Sequence, residues 1–292
     1  MELLRRLDAK GAIGFAILIL VLLTAVAAPW LAPIDPNAQD LSSPLLPPAW
    51  IAGGAPGHLL GTDQLGEDVL SRIIYGARVS LSVGVIAVLG SGTLGSLLGL
   101  IAGYFAGWLG GAIMRLVDIV LAVPFILLAL VFMTVFGPSL PNLVLVLVLA
   151  RWVQFTRIGY GLVLEVRERE YIQACIVGGL STRDILLRHV LINVAGPLLV
   201  VATLEIGFVI LMEAGLSFLG LGTPPEIPSW GGMLQEGRTV INIAWWLTTF
   251  PGLAIMLTVI GFNFVGDWLR DRLDPQTNLG SSRIGTMVDS AR

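Results

Sequence analysis

Apolar residues fall in blocks of roughly 20 along most of this 292-residue chain, with short polar stretches between them. The pattern predicts six membrane spans, at 11–31, 80–103, 116–136, 142–160, 194–217 and 246–266. Each approaches the length that crosses a hydrocarbon core of about 30 Å. An even number of spans puts both termini on one side. The stretch from Pro33 to Pro56 also carries Pro36, Pro44, Pro47 and Pro48, so it cannot hold a regular helix and reads as an extracytoplasmic loop. After it, Leu65, Val69, Leu70, Ile73, Ile74 and Ala77 recur at helical spacing between Asp63 and Arg78, which predicts an amphipathic helix lying at the membrane interface. The first block has a second reading as a signal peptide, because Arg5, Arg6 and Lys10 precede it and it ends near Ala25-Val26-Ala27. Cleavage there would leave five spans.

One polar, arginine-bearing stretch stands out between the fourth and fifth blocks. The helical pattern running through Glu170, Tyr171, Gln173, Ala174 and Cys175 to Val177 meets Gly178-Gly179. Ser181, with Asp184 three residues later, then makes a capping box that restarts a helix carrying Arg183 and Arg188. The prediction is helix, turn, helix. Arginine and lysine set its side. Lys10, Arg115, Arg157, Arg167, Arg169, Arg183, Arg188, Arg270 and Arg272 fall on the side of the termini, with Arg5, Arg6, Arg283 and Arg292, whereas Arg72, Arg78 and Arg238 fall opposite. Positive charge accumulates in cytoplasmic segments, so the termini and this hairpin are assigned to the cytoplasm.

Composition narrows the chemistry. Charged residues are 13% and hydrophobic ones 55%, and a net charge of −3 is the wrong sign for a nucleic-acid binder. A single cysteine, Cys175, makes neither an internal disulfide nor a cysteine-based metal cluster. His58 and His189 both lie outside the spans, so no span offers a Ser-His pair or a histidine metal site, and no catalytic residue is assigned. Lys10, the only lysine, follows no Gly-x-x-x-x-Gly run, so the chain lacks the P-loop that grips nucleotide phosphates. Any ATP-driven function must draw on a partner.

Within the spans, Gly95, Gly99, Gly103, Gly107 and Gly111 recur every fourth residue and predict a groove for close helix packing. Pro124, Pro197 and Pro251 predict kinks. The charged groups are few. Arg115 and Asp118 are spaced to pair with each other on one helix. Glu205 and Glu213 are eight apart, about 80° around a helix, so both can face one interior. They either line a wet path, for which Asp118 and Arg151 are the other candidate residues, or pair with Arg151 or another buried donor.

Longer motifs carry a resemblance that covers nearly the whole chain. Ala28-Pro29-Trp30-Leu31-Ala32-Pro33, Asp35-Pro36-Asn37-Ala38-Gln39-Asp40-Leu41, Leu60-Gly61-Thr62-Asp63-Gln64-Leu65-Gly66-Glu67-Asp68-Val69-Leu70-Ser71-Arg72, Gly76-Ala77-Arg78-Val79-Ser80-Leu81, Leu216-Ser217-Phe218-Leu219-Gly220-Leu221-Gly222 and Pro228-Ser229-Trp230-Gly231 resemble the inner-membrane permease subunit of dipeptide/oligopeptide ABC importers. The hairpin resembles that family's EAA loop, which docks on the ATPase subunit. The Glu-Ala-Ala pattern is Gln173-Ala174-Cys175 here, the family glycine falls on Gly179, and Leu-Pro becomes Leu191-Ile192. The glutamate and the proline are both replaced.

The resemblance implies an all-α polytopic membrane protein with about six transmembrane helices, in the type I ABC importer permease architecture. Its segments would be a cytoplasmic N-terminus and first span (1–32), an extracytoplasmic loop with the interfacial helix (33–78), a core (79–270) and a cytoplasmic tail (271–292). The core would contain the coupling hairpin (161–192) and an outer loop (218–245). It further implies a second homologous permease, two P-loop ATPase subunits that carry ATP and Mg²⁺, an extracytoplasmic solute-binding protein, and membrane lipid around the spans. No cofactor or metal is expected on this chain. Peptide is the expected cargo, with nickel chelates or another small solute as the alternative within the class. A gradient-driven transporter or channel using Glu205, and a structural membrane protein with no transport role, are the readings outside it.

Overall fold

The structure, a computed structural model, describes residues 8–273. Arg5, Arg6, Arg283 and Arg292, and most of the predicted C-terminal tail, lie outside the described residues. The described chain is helical, its one β-feature an isolated bridge between Thr62 and Asp68. The helices are α1 (Ala9–Val26), α2 (Ala28–Leu31), α3 (Val69–Phe105), α4 (Gly107–Ala122), α5 (Phe125–Phe136), α6 (Leu140–Arg167), α7 (Glu170–Val177), α8 (Thr182–Asp184), α9 (Leu191–Phe218), α10 (Trp230–Arg238) and α11 (Trp246–Leu273). A π-helical segment, Ile185–Val190, joins α8 to α9.

Glycine positions reveal how the long helices run. Gly95 of α3 lies on Trp152 and Phe155 of α6, Gly99 on Thr156 and Tyr160, and Gly103 on Val163, so α3 and α6 run in the same direction. Helix α9 opposes them: Ser80 of α3 meets Glu213, while Gly84 meets Ile210 and Ile206. Helix α11 opposes α9, with Gly207 on Val259 and Gly266 on Leu204. Helix α1 in turn opposes α11, with Gly11 on Trp268 and Gly14 on Phe264. The starts of α1 and α9 and the ends of α3, α6 and α11 therefore share one face of the bundle. Two parallel helices in sequence need a return crossing between them, and α4 with α5 supplies it. Five helices are long and apolar enough to span a membrane, and the α4–α5 pair makes a sixth.

That sixth span is broken. Instead of one helix over 116–136, α4 and α5 meet at an 85° bend. Pro124 removes a backbone donor and holds Val123 in an extended conformation, so α4 ends and α5 restarts. Pro197 and Pro251 lie inside continuous helices.

The glycine groove is real as far as Gly103. A Cβ on Gly95 would overlap the Trp152 carbonyl oxygen, and one on Gly99 would come within 2.8 Å of that of Thr156. Gly107 does not extend the groove. Helix α3 ends at Phe105, and Gly107 turns the chain with φ of +54°, while Gly111 faces open space. Gly95→Leu is expected to wedge α3 from α6 and cost at least about 1–3 kcal/mol, read as a lower Tm in detergent. Gly111→Leu should leave Tm unchanged.

The predicted interfacial helix is also revised. Asp68 caps α3 by accepting from Ser71 N at 2.8 Å, and the helix then continues unbroken for 37 residues, about 55 Å. No breaker comes after Arg78, and Val69, Ile73 and Ala77 pack against residues of α10 and α11. Trp230 Nε1 donates to the Ile73 carbonyl at 3.0 Å, and Trp246 Nε1 to that of Thr62 at 3.2 Å. These bonds tie α10, the start of α11 and the 32–68 segment into one cap over the end of the bundle opposite the hairpin.

Candidate functional site

The hairpin is built as its sequence predicts. At the end of α7, Gly179 takes φ of +78°, its N–H donates to the Ile176 carbonyl at 3.1 Å, and Leu180 N–H to that of Cys175 at 3.1 Å. Those are the two bonds of a Schellman cap, which needs a residue at home in the left-handed region. Ser181 then caps α8, accepting from Asp184 N at 3.1 Å and donating to the Asp184 carboxylate at 2.6 Å. Beyond it the helix widens to a π-turn over Ile185–Val190, which the sequence did not announce. Neither Leu191 nor Ile192 is a proline, and the helix runs on into α9.

Inward anchoring comes from Ile172 and Ile185, both buried. Glu170, Tyr171, Gln173, Ala174, Gly178, Gly179, Ser181, Arg183 and Arg188 are exposed, and Cys175 and Asp184 are half-buried. Gln173 Nε2 donates to the Arg167 carbonyl at 3.1 Å, and Arg188 reaches Asp184 at 3.5 Å. Apolar side chains of the hairpin are exposed among these polar ones: Ile176, Leu180 and Leu187 are 44%, 42% and 47% exposed, and Val177 is 88% exposed. A two-helix tip with several apolar side chains exposed is suited to docking on another protein.

In the membrane region the structure separates the four charges considered together. Arg151 of α6 meets Glu205 of α9 side-on, Nε donating to Oε2 at 2.8 Å and Nη2 to Oε1 at 2.6 Å. Its guanidinium carbon also lies 4.6 Å from the centre of the Phe208 ring. Glu213 is elsewhere, buried nearer the capped end, where Ser217 Oγ donates to it at 2.8 Å and Ser80 Oγ at 3.3 Å. Asp118 does not pair with Arg115. It accepts from Arg157 Nη2 at 2.6 Å, because α4 lies beside α6 and a partner on that neighbour is closer than one on its own helix. Both members of that pair are more than half exposed.

Sequence reasoning missed a charge cluster in the cap. Arg72 is 3% exposed and forms ion pairs with Asp63 at 3.1 Å, with Glu67, and with Glu236 of α10 at 3.0 Å. Asp63 Oδ1 also accepts from the N–H groups of Leu65 and Glu67, each at 2.9 Å. Gln39 and Gln64 donate to Glu67 and to the Glu236 carbonyl. Burial pushes the Asp63 and Glu236 carboxyls above their ordinary values, and the Arg72 charge opposes that rise in both. Asp63, Arg72 and Glu236 line a cavity of about 370 Å³. The Asp63, Glu67 and Arg72 spacing was visible in the sequence, but Glu236, more than 160 residues away, was not.

Residues 95–279 match the family described as the binding-protein-dependent transport system inner membrane component, and residues 11–48 match the N-terminal transmembrane domain of oligopeptide transport permease C. Over 268 residues the chain is 46% identical to the dipeptide transport system permease protein DppC of Escherichia coli, covering 91% of this chain and 89% of that one. It is 43% identical to the di/tripeptide transport system permease protein DppC of Pseudomonas aeruginosa, covering 91% and 88%. Over 260 residues it is 41% identical to the probable D,D-dipeptide transport system permease protein DdpC of Escherichia coli, covering 89% and 85%.

Proposed function

The chain belongs to the family of binding-protein-dependent transport system inner membrane components, and we propose that it is the pore-forming permease subunit of an ABC importer that moves di- or oligopeptides into the cytoplasm. It forms half of the pore beside a second, homologous permease. Two P-loop ATPase subunits bind ATP and Mg²⁺ on the cytoplasmic side, and a solute-binding protein delivers peptide to the cap formed by residues 32–68 and α10. Both termini and the hairpin face the cytoplasm, in line with the arginines of α6 to α8 and the shared face of the helix ends.

One observation carries the coupling role: the α7–α8 tip exposes Ala174, Ile176 and Val177 while Ile172 and Ile185 root it in the bundle. Closure of the ATPase pair pushes on this tip. Because the π-turn and α9 continue the same helical run, the push reaches Glu205 and Glu213 without a flexible joint. The mechanism is alternating access, in which ATP binding opens the path outward and hydrolysis resets it. The hairpin contributes shape and stiffness, and the chemistry of hydrolysis stays on the partners.

Purification of a tagged copy from its native membrane in mild detergent, with identification and stoichiometry of the proteins that accompany it, tests the assembly. A second permease and two P-loop ATPases are expected. A clean homo-oligomer without an ATPase would overturn this reading and favour gradient-driven transport.

A further inference from the structure

The break in the sixth span and the Arg151–Glu205 pair occupy the same place. A cavity of about 240 Å³ is lined by Val123, Pro124 and Phe125 at the bend, by Met212 of α9, and by Arg151. Arg151 lies eleven residues into the 28-residue helix α6, so the cavity sits near the middle of the membrane. A guanidinium at that depth is costly unless paired or wet; Glu205 pairs it, and such intramembrane charges mark substrate pathways.

Glu205 occupies only one edge of the fork. It takes Nε and Nη2, while Nη1 makes no hydrogen bond among the described residues. The remaining edge has the geometry that accepts a second carboxylate. The N-terminus of α5, whose first N–H groups lack helical acceptors, forms part of the same wall and adds partial positive charge. At 240 Å³ the cavity is smaller than a typical small-molecule site of about 300–1,000 Å³, which suits one end of a peptide rather than the whole.

We propose that Arg151, side-bound by Glu205 at the α4–α5 break, receives the terminal carboxylate of the peptide as it crosses the membrane. Glu205 is a positioning residue: it fixes the fork and neutralises part of its charge, so the carboxylate is held weakly enough to be released. Transport needs a station that admits its cargo and lets it go. This inference rests on the peptide-import reading above and adds the end of the peptide that the permease reads.

The test uses the complete assembly in proteoliposomes, with dialanine as the probe and the matching binding protein present. A purely structural ion pair can be replaced by two apolar residues without loss. Arg151→Leu/Glu205→Leu is therefore expected to co-purify with its partners in normal yield and to take up dialanine at least tenfold more slowly than the unaltered assembly. Normal uptake by this double variant would overturn the inference. If the double variant fails to assemble, the exchanged pair Arg151→Glu/Glu205→Arg decides. It restores the attraction with the guanidinium moved to the other helix, and slow uptake at normal yield supports the station. Normal uptake by the exchanged pair, or failure of both variants to assemble, assigns the pair to folding alone and overturns it. Absence of dialanine uptake by the unaltered assembly would instead count against peptide as cargo.

Discussion

Ala174→Asp is expected to abolish uptake while the protein stays at normal abundance in the membrane. Ala174 is exposed on α7, one turn before the Gly178–Gly179 cap, and makes no packing contact that a carboxylate would destroy. Surface changes of this kind usually shift stability by no more than about 0.5 kcal/mol. The consequence at a docking surface is different. A carboxylate one turn from Val177 would have to leave water when a partner covers this surface. Transport should fall to background, and the ATPase subunits should no longer co-purify. Ala174→Ser, small and neutral, should retain both. Normal uptake by Ala174→Asp at normal abundance would rule out docking through this tip.

How far these features can be read from sequence depends on the range of the interaction that sets them. The spans are legible because lipid demands long apolar helices, and the hairpin is legible because its caps are local: Gly179 must take a positive φ, and Ser181 lies three residues from Asp184. Helix α10 was hidden within a stretch that reads as a loop. Gly231, Gly232 and Gly237 lower its helical propensity, and tertiary bonds from Trp230 and Glu236 hold it in place. The bend at Pro124 was visible as a proline, but its size was not. Ion-pair choice was the least legible feature. Asp118 has Arg115 three residues away and takes Arg157 on another helix, and nothing in the spacing of one helix reports which neighbour lies beside it.

The same limit applies to Arg72, whose removal should be the most damaging single change in the cap. Arg72→Met leaves Asp63, Glu67 and Glu236 close together without their shared cation. Removing one partner of a buried ion pair costs about 3–5 kcal/mol, because the charge left behind is no longer compensated. Thermal unfolding in detergent at neutral pH should show that loss, and uptake should fall with it, since α10 would lose its ion pair to the start of α3 and keep only the bond from Trp230 to the Ile73 carbonyl. Arg72→Lys keeps the charge but not the fork that spans three carboxylates, so its loss should be intermediate. Acid gives the sharper test. Burial already raises Asp63 and Glu236 above ordinary values of 3.8 and 4.5, and removing the opposing Arg72 charge raises them further. As pH climbs past the ordinary values, the unfolded chain ionises first while the folded chain holds its protons. Stability therefore falls across the window up to the raised folded values and stays low above them. Lowering the pH through that window should return much of the stability that Arg72→Met loses, whereas acid destabilises a protein through any carboxylate whose folded pKa is depressed. A variant as stable as the parent at neutral pH, or one that acid does not help, would mean that Arg72 is not the charge on which the cap depends.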